Sequence, residues 1–580
     1  DARQSGIIAG NKKNPAMAVL VPNRPRIAYF SMEIALEEGI PTYSGGLGVL
    51  AGDMMRSAAD LGVPIVAVTL VSRAGYFRQE IVGGRQVERP EHWDPASRAQ
   101  RLDCKVAVRV GDHDVWIGAW QYEVEGHSDQ FASVPVILLD TDLPENRDED
   151  RHLTHYLYGG DPTYRLRQEI VLGVGGVRML AALGLNVQKY HLNEGHSALL
   201  TLELLRLRGA ADAHGEALKE AVAVVRRRCV FTTHTPVEAG HDQYPYALAE
   251  QWLAGLVHPR VLHSLGGPDR LNLTRLALSL CGWVNGVAQR HAEVSRVLFP
   301  GYEVHAITNG VHAMRWTSGP MQALFDRYIP SWGHEPELLV RALRIHDTDI
   351  AAAHLQAKQE LLQFVAGMPG GSQLDANRFT IGFARRMTDY KRPGLLFSEL
   401  DRLRAIAHRF PFQVVVAGKA HPHDEPGKRH IASVHAWAQE LGAAVPVVFV
   451  PDYRLDVARR FVAGVDLWLN TPQPPLEASG TSGMKAAMNG VPSLSVLDGW
   501  WLEGCDEGAT GWAIGDDGGD FDARRHAQSL YDKLEHTILP SYYQGGAAWP
   551  FIMKSTIARN GSYFNSHRML RRYVSEAYWN

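Results

Sequence analysis

One stretch of the C-terminal half, RFTIGFARRMTDYKRPGLLFSELDRLRAIAHRFPFQVVVAG (residues 378–418), contains the repeating unit of the fold. Residues 378–384 and 412–418 are short, apolar and partly β-branched, as expected of strands that are buried on both faces of a sheet. The segment between them, 393–410, carries apolar residues at helical spacing. A strand, a helix and a second strand in this order predict a βαβ unit with parallel strands.

The same alternation continues in both directions along the chain. Further strand-like runs lie at 26–33, 64–71, 134–140, 187–194, 229–235, 445–451 and 465–470. Residues 454–464 have helical spacing, whereas 106–124 alternate in polarity and predict an antiparallel insertion. We therefore predict an α/β protein with two Rossmann-like doubly wound domains that face a central cleft. Ligands of open parallel sheets bind beyond the carboxyl ends of the strands, which here means in that cleft.

Length and composition agree with a globular protein of more than one domain. The chain has 580 residues, of which 45% are hydrophobic and 21% charged, and a single core rarely organises so many residues. With 59 Lys plus Arg against 63 Asp plus Glu, the net charge of −4 gives no reason to expect nucleic-acid binding. There is no CxxC pair, no run of 18 apolar residues and no leader pattern at the start of the chain. We therefore predict a cytoplasmic protein without membrane association.

We predict the boundary between the two halves near residues 309–315, after the strand-like run at 304–310. The predicted domains are an N-terminal α/β domain (1–312), a C-terminal α/β domain (313–548) and a helical segment (549–580) that returns to the first domain.

A lysine on a loop of small residues marks the stretch EASGTSGMKAAMNG (477–490). Gly480 and Gly483 allow backbone N–H groups to approach an anion closely. The amine of Lys485, on the first turn of a helix, can form a Schiff base with an aldehyde whose phosphate the same loop holds. Taken alone, the motif also fits a tight strand-to-helix turn with a solvated lysine.

Two further motifs are suited to anion binding. FARRMTDYKR (383–392) follows a predicted strand and brings four cationic side chains to one loop. The forked guanidinium of arginine and the compact ammonium of lysine both suit the binding of a dianion. TYSGGLGVLAGDMM (42–55) is a glycine turn that opens a helix in the other half. Together they predict anion-binding elements on both sides of the cleft.

These motifs together resemble the α-glucan phosphorylases, the family of glycogen, starch and maltodextrin phosphorylases. The run E-A-S-G-T, followed by M-K, N-G and LDG (497–499), is similar to the pyridoxal-phosphate signature of that family. The resemblance covers most of the chain, in order, through SMEIA (31–35), SGGLG (44–48), HLNEGH (191–196), FTTHT (231–235), ITNG (307–310), RRMTDYKR (385–392), PDYR (451–454) and the terminal stretch 549–573.

The resemblance implies a site with pyridoxal 5'-phosphate on Lys485. The positions matched to the surroundings of the cofactor are Arg385, Tyr453, Arg454, Thr481, Ser482 and Gly483. The positions matched to the substrate phosphate are Arg386, Lys391 and the backbone N–H of Gly46. The positions matched to the glucose site are His196 and Asn309 for the 6-hydroxyl, Glu477 for the 3- and 4-hydroxyls, and Glu33, Leu47, Tyr390, Ala478, Ser479 and Gly480.

The implied reaction is phosphorolysis of α-1,4-glucan to α-glucose 1-phosphate with retention of configuration. A proton would pass from the cofactor phosphate through the substrate phosphate to the glycosidic oxygen. Glu477 is a single strong carboxylate candidate, whereas ordinary glycosidases use two, which favours phosphorolysis over hydrolysis. The implied partners are the glucan and inorganic phosphate, with a homodimer as the common assembly of the family.

Four positions depart from the better-known members: Ala35 replaces an aromatic residue, Ser44 an Asn, Arg385 a Lys and Ser482 a Gly. Two alternatives stay open, a nucleotide-sugar glucosyltransferase of the synthase kind and a non-catalytic glucan-binding scaffold derived from a phosphorylase. Lys485 discriminates against the first, since that reaction needs no Schiff-base lysine. No HExxH motif or Cys/His ligand spacing occurs, so no metal is predicted.

Overall fold

The computed structural model describes residues 7–8, 26–127, 132–237, 240–516 and 522–579. Most of the stretch examined above for a leader therefore lies outside the described residues. Within those ranges, no helix is both long enough and apolar enough to cross a bilayer.

An eleven-stranded sheet forms the N-terminal half. Its parallel strands are Ile27–Ser31, Ile65–Leu70, Ser133–Asp140, Lys189–Asn193, Cys229–Thr232, Trp283–Gly286 and His305–Ala306. Antiparallel strands extend it at one edge: Ile7–Ile8, Gln100–Arg101, Lys105–Val110 and His113–Glu125. This edge confirms the predicted antiparallel insertion.

A six-stranded, fully parallel sheet forms the C-terminal half. In chain order its strands are Phe379–Ala384, Phe412–Ala417, Val447–Val450, Leu467–Asn470, Ser493–Val496 and Gly511–Ile514. They lie side by side in the order 3-2-1-4-5-6, the doubly wound order of dinucleotide-binding sheets. Both halves thus confirm the predicted fold class.

Helices connect most of the parallel strands. In the N-terminal half they span Gly46–Asp60, Asp148–Arg151, Pro162–Ile170, Gly176–Ala182, Leu199–Leu207, Gly215–Arg226, Tyr246–Trp252, Pro259–Gly266, Leu273–Leu280 and Gln289–Leu298. Beyond them they span Ala313–Trp316, Gly319–Tyr328, Asp347–Val365, Leu400–Arg409, Glu425–Leu441, Leu455–Gly464, Ser482–Ala487, Trp501–Gly504, Ala523–Lys533, Leu539–Tyr543, Ala548–Thr556 and Ser566–Arg572.

The helix predicted over 393–410 is shorter than its apolar pattern suggested. Arg392 has a left-handed backbone conformation with φ of 47°, and Pro393 follows it. Both features disfavour a helix start at this point, because Pro restricts the preceding residue and left-handed geometry does not continue into a right-handed helix. The chain makes a short turn at Leu395–Phe397 and begins the helix only at Leu400.

A two-stranded hairpin, Arg78–Val82 with Arg85–Arg89, reaches from the N-terminal half to the other half. Gln79 Nε2 donates to the carbonyl of Gly418 at 2.9 Å, and Gln86 Nε2 donates to that of Ala420 at 2.9 Å. Both carbonyls lie just beyond the carboxyl end of a C-terminal strand, so the hairpin crosses beside the cleft.

The last helices of the chain pack against the N-terminal half. Met569, Leu570, Tyr573 and Tyr578 share a buried cluster with Tyr29 and other residues of the first parallel strands. Ser566 Oγ lies 2.6 Å from Ser57 Oγ, and Tyr578 OH lies 2.6 Å from Nδ1 of His191. The domain limits given above stay a prediction.

Candidate active site

The predicted site residues follow the carboxyl ends of parallel strands in both sheets. Glu33 comes after Ile27–Ser31 and His196 after Lys189–Asn193, while Arg385 comes directly after Phe379–Ala384. These positions agree with the rule that ligands of open α/β sheets bind at this edge.

The glycine turn is held by a buried carboxylate, that of Glu33. The backbone N–H groups of Ser44 and Gly45 donate to Glu33 Oε2 at 2.6 and 3.1 Å, and Tyr158 OH donates to Oε1 at 3.0 Å. Gly48 must lack a side chain, because a Cβ there would lie 2.7 Å from Glu33 Oε2. Glu33 therefore fixes the turn through hydrogen bonds to its backbone and leaves Gly46 exposed at the start of its helix.

The two halves meet at Gly45. A Cβ on this residue would lie 3.0 Å from the NH2 atom of Arg386, which comes from the C-terminal sheet. Arg386 is exposed to the cleft, and no hydrogen bond or ion pair joins it to another residue in the part of the chain that the structure describes. A Cβ on Gly46 would meet no atom within 4 Å. The cleft thus presents an unpaired guanidinium beside an open glycine turn.

Three charged side chains of the C-terminal half form a buried cluster. Glu477 Oε2 lies 2.6 Å from Arg385 NH2 and 2.5 Å from Lys391 Nζ, and all three residues are 6–7% exposed. Burial alone would raise the pKa of Glu477, but Arg385 and Lys391 lower it to about 2. Burial, together with the neighbouring Arg385, lowers the pKa of Lys391 to about 7 despite Glu477. When Lys391 is protonated, the cluster carries two cations for one carboxylate and is then suited to a further anion.

Close backbone contacts explain why the residues after Glu477 are small. Asp498 Oδ2 accepts the N–H of Glu477 at 2.9 Å, and the carbonyl of Ser479 accepts the N–H of Trp500 at 2.9 Å. Gly480 has φ of 78°, which residues with a Cβ rarely adopt. A Cβ on Gly483 would lie 2.7 Å from the ring of Trp500.

Lys485 lies in the short helix Ser482–Ala487 and is 7% exposed. Its Nζ lies 4.1 Å from the ring centroid of Trp316 and makes no hydrogen bond to any residue that the structure describes. Burial lowers the pKa of this amine to about 8, although Asp53 acts in the opposite direction. The amine therefore loses its proton above about pH 8, closer to neutrality than an ordinary lysine, which favours a nucleophilic role.

The N-terminal half contributes polar atoms that lack partners. Asn309 Oδ1 and His196 Nδ1 are buried and have no hydrogen-bond partner among the described residues. His196 Nε2 lies 3.4 Å from Asp242, and burial, reinforced by Arg165, lowers the pKa of His196 to about 4. The ring is therefore neutral near pH 7 and offers Nδ1 to a ligand. The Asn309 loop is held by Arg568, which donates to the Asn309 carbonyl at 2.8 Å.

The remaining predicted site residues differ in their contacts and in their exposure to solvent. Lys391 Nζ lies 4.5 Å from the ring centroid of Tyr390, and Ser482 Oγ accepts from Trp468 Nε1 at 3.1 Å. Tyr453 is half-buried, whereas Arg454 is exposed and pairs with Asp456 at 3.0 Å. Leu47, Ala478 and Thr481 are half-buried on the loops already described. Arg454 is thus the one predicted cofactor residue that the described structure turns toward solvent.

Tyr158 and Asp498 are two of the supporting residues that were not predicted from the sequence. Tyr158 donates to Glu33, and no motif marked it. Asp498 lies in the LDG run at 497–499, which was used only as a signature; its two oxygens accept the N–H groups of Glu477 and Gly499 at 2.9 Å. Both residues support groups that the sequence did single out.

Two Rossmann-like sheets, with a glycine turn of one half beside a guanidinium of the other, form a fold of the GT-B type. The chain belongs to the carbohydrate phosphorylase family, whose profile matches residues 33–144 and 261–510. It is 38% identical to the maltodextrin phosphorylase of Thermococcus litoralis, over 97% of this chain and 72% of that protein. It is 36% identical to the glycogen phosphorylase of Mycobacterium tuberculosis, over 95% and 70%. It is 35% identical to the glycogen phosphorylase of Aquifex aeolicus, over 95% and 86%.

Proposed function

We propose that the protein degrades α-1,4-glucan by phosphorolysis, releasing α-glucose 1-phosphate with retention of configuration, and that it does so with pyridoxal phosphate on Lys485. The observation that carries this proposal is the guanidinium of Arg386 beside the open turn at Gly45 and Gly46, next in the chain to Arg385, which pairs with Glu477. Membership of the phosphorylase family and the names of the relatives support the choice of glucan and phosphate as substrates.

The residues around Lys485 fit pyridoxal phosphate. The amine is buried, free of hydrogen bonds to described residues and neutral above about pH 8. Arg385 NH1 is buried without a partner among the described residues, as expected of a cation that holds an anion. Thr481, Ser482, Gly483 and Tyr453 complete the proposed set, and Arg454 would have to leave Asp456 to join it. When bound, the cofactor supplies a phosphate group that can share a proton with the substrate phosphate.

The protein's own side chains would orient the reactants. Arg386, Lys391 and the N–H of Gly46 would hold inorganic phosphate against the anomeric carbon, where positive charge develops as the glycosidic bond breaks. Glu477 and the backbone at Ser479 would accept and donate to sugar hydroxyls. Bound phosphate would then be both the counter-charge and the nucleophile, on the face from which the glucan departs.

Two of the other glucose-site assignments rest on buried atoms that have no hydrogen-bond partner among the described residues. Asn309 Oδ1 and His196 Nδ1 would hold the 6-hydroxyl. Glu33, Leu47, Tyr390, Ala478 and Gly480 would complete the wall of the site. Asp498 is a second carboxylate beside Glu477, but its oxygens accept backbone N–H groups, so it is not placed as the partner of a paired-carboxylate hydrolase.

The direct test is an assay of the purified protein with maltodextrin and inorganic phosphate. We expect glucose 1-phosphate to form in proportion to the bound pyridoxal phosphate, measured after acid release, with about one cofactor per chain. Free glucose without glucose 1-phosphate would contradict the proposal. A size-exclusion experiment with light scattering tests the predicted homodimer, and cell fractionation tests the predicted cytoplasmic location.

Gly46→Ala should weaken phosphate binding without unfolding the protein. The new Cβ meets no protein atom within 4 Å and would project into the space proposed for phosphate. We expect KM for phosphate to rise at least about tenfold, equivalent to about 1.4 kcal/mol, while the melting temperature changes little.

The matched control is Gly319→Ala. Gly319 is likewise the first residue of a helix, and a Cβ there also meets no atom within 4 Å. An unchanged KM for phosphate in Gly46→Ala, or an equal rise in Gly319→Ala, would contradict the proposal that phosphate binds at this turn.

Uptake of pyridoxal phosphate by the cofactor-free protein should accelerate with pH. Only the neutral amine of Lys485 reacts with an aldehyde, and burial places its pKa at about 8. The neutral fraction therefore rises about tenfold between pH 7 and pH 9, and the initial rate of uptake, followed by absorbance, should rise with it. A flat rate across this range would show that the amine is not the titrating group.

A further inference from the structure

A second cluster of titratable side chains lies away from the cleft, where three segments meet. Asp60 ends the helix that begins at Gly46, His312 precedes the helix Ala313–Trp316, and His567 lies in the helix Ser566–Arg572. Oδ2 of Asp60 is 2.8 Å from Nε2 of His312 and 3.1 Å from Nε2 of His567. The three side chains are only 1–3% exposed.

The hydrogen bonds around His567 require a positive species inside this cluster. Its Nδ1 lies 3.2 Å from the carbonyl oxygen of His334, so Nδ1 carries a proton. In the neutral ring Nε2 then has only a lone pair, which faces a lone pair of Asp60 Oδ2. Such a contact is repulsive unless a proton or a metal ion lies between the two atoms. A metal-bound histidine whose other nitrogen donates to a carbonyl is a common arrangement.

The carboxylate of Asp60 is also held in one orientation. Its second oxygen, Oδ1, accepts the backbone N–H of His127 at 2.6 Å, which leaves Oδ2 directed at the two imidazoles. The ring centroids of His312 and His567 are 5.8 Å apart, and the ring of His127 lies 5.6 Å from that of His312. Imidazoles that share one tetrahedral zinc at about 2.1 Å have centroids roughly 5 Å apart.

We propose that Asp60, His312 and His567 bind one Zn²⁺ ion. Two imidazole nitrogens and one carboxylate suit zinc, whereas Ca²⁺ and Mg²⁺ prefer sets of oxygen ligands. The ion would join the helix of the glycine turn, the chain just after Asn309 and the last helices of the protein. His312 and His567 are 252 and 507 residues from Asp60, which is why no ligand spacing was visible in the sequence.

Zinc binding requires a change in the position of the ring proton of His312. Its Nδ1 lies 3.2 Å from the N–H of Arg315, so without metal the ring proton resides on Nε2 and points at Asp60. Zinc at Nε2 requires that proton to move to Nδ1, which breaks this long N-cap bond, and zinc takes the place of the proton between His567 and Asp60, which passes to solvent. Metal uptake is therefore coupled to proton release, which calorimetry in buffers of different ionisation enthalpy can measure.

The test is metal content after zinc loading and passage over chelating resin, measured by elemental analysis. We expect about one zinc per chain in the wild type and at least a tenfold lower content in His312→Gln and in His567→Gln. The matched control is His113→Gln, since His113, Glu149 and Asp150 form a more exposed cluster of the same type. Wild-type protein that retains less than about a tenth of an equivalent would overturn the proposal, as would equal contents in all four proteins.

If both variants fail to fold, zinc-edge X-ray absorption of the loaded wild type decides the question. The proposal requires two imidazole nitrogens in the first coordination shell, whereas the cluster at His113 offers only one, and a shell with one imidazole or none overturns it. The readout is independent of glucan cleavage, so an inactive enzyme with zinc at this cluster would still support the site.

Discussion

Replacing Lys485 by alanine should leave the purified protein without pyridoxal phosphate and lower kcat/KM for phosphorolysis at least about 1,000-fold, about 4 kcal/mol in transition-state stabilisation. The substitution removes the only proposed covalent anchor of the cofactor. Folding should be nearly unaffected, because the side chain contributes mainly its contact with Trp316, 4.1 Å away, and such contacts are worth about 1 kcal/mol. Acid-released cofactor, activity and melting temperature are the three measurements.

Lys485→Arg separates the covalent from the electrostatic role of this position. The arginine keeps the positive charge over Trp316 but cannot form the linkage, since its guanidinium stays protonated. We expect the arginine variant to resemble the alanine variant in cofactor content and activity. Substantial cofactor and activity in either variant would contradict the assignment of Lys485.

Replacing Glu477 by glutamine should lower both activity and stability. The variant leaves Arg385 and Lys391 buried without a counter-charge, and removing one partner of a buried ion pair typically costs about 3–5 kcal/mol. Loss of the proposed sugar contact should lower kcat/KM about 100-fold or more. Added phosphate should restore much of the stability, because a dianion can replace the missing carboxylate.

The pH dependence of unfolding provides an independent check on the same carboxylate. Its pKa is about 2 in the folded protein against an ordinary value of 4.5. The pair therefore stabilises the fold fully above pH 4.5, and this contribution of about 3 kcal/mol is lost as the pH falls through about 2. Denaturant titrations of wild type and Glu477→Gln should thus converge as the solution is acidified.

Asp466→Asn is the matched control for the effect of phosphate. Asp466 is also a buried carboxylate, 2.6 Å from Lys358 Nζ and 2.9 Å from His354 Nε2, but it lies outside the proposed site. Its variant should be destabilised without recovery on adding phosphate. Equal recovery in both variants would show that phosphate stabilises the fold in general and does not bind at Glu477.

The parallel strands were predictable from the sequence because their residues are buried on both faces. Phe379–Ala384 and Phe412–Ala417 are buried throughout, so apolar, β-branched runs mark them without ambiguity. The hairpin Arg78–Arg89 was not predicted, since it contacts the other half through Gln79 and Gln86 and carries no comparable apolar signal. Helical spacing at 393–410 indicated a helix but could not show that Arg392 delays its start.

The site residues that follow strands were predictable, whereas those that support them from a distance were not. Arg385 and Lys391 stand in one motif, and the position of that motif after a strand directs them to the cleft. Tyr158 reaches Glu33 from 125 residues away, and Arg568 reaches the Asn309 carbonyl from 259 residues away. Only the folded chain brings such pairs together, so a single sequence contains no local signal for them.

The packing of Tyr573 and Tyr578 against Tyr29 has a consequence for biosynthesis. Translation proceeds at about 5–20 residues per second, so on the order of a minute separates the first of these side chains from the last. During that interval the earliest strands have left the ribosome while part of their apolar cover has not yet been made. The C-terminal sheet also waits for late residues, since Trp549, Ile557 and Phe564 belong to its core, but its first strand is made much later, so the interval is shorter. The half of the protein that is translated first therefore waits longest for the last residues of its core, and it depends longest on protection from aggregation.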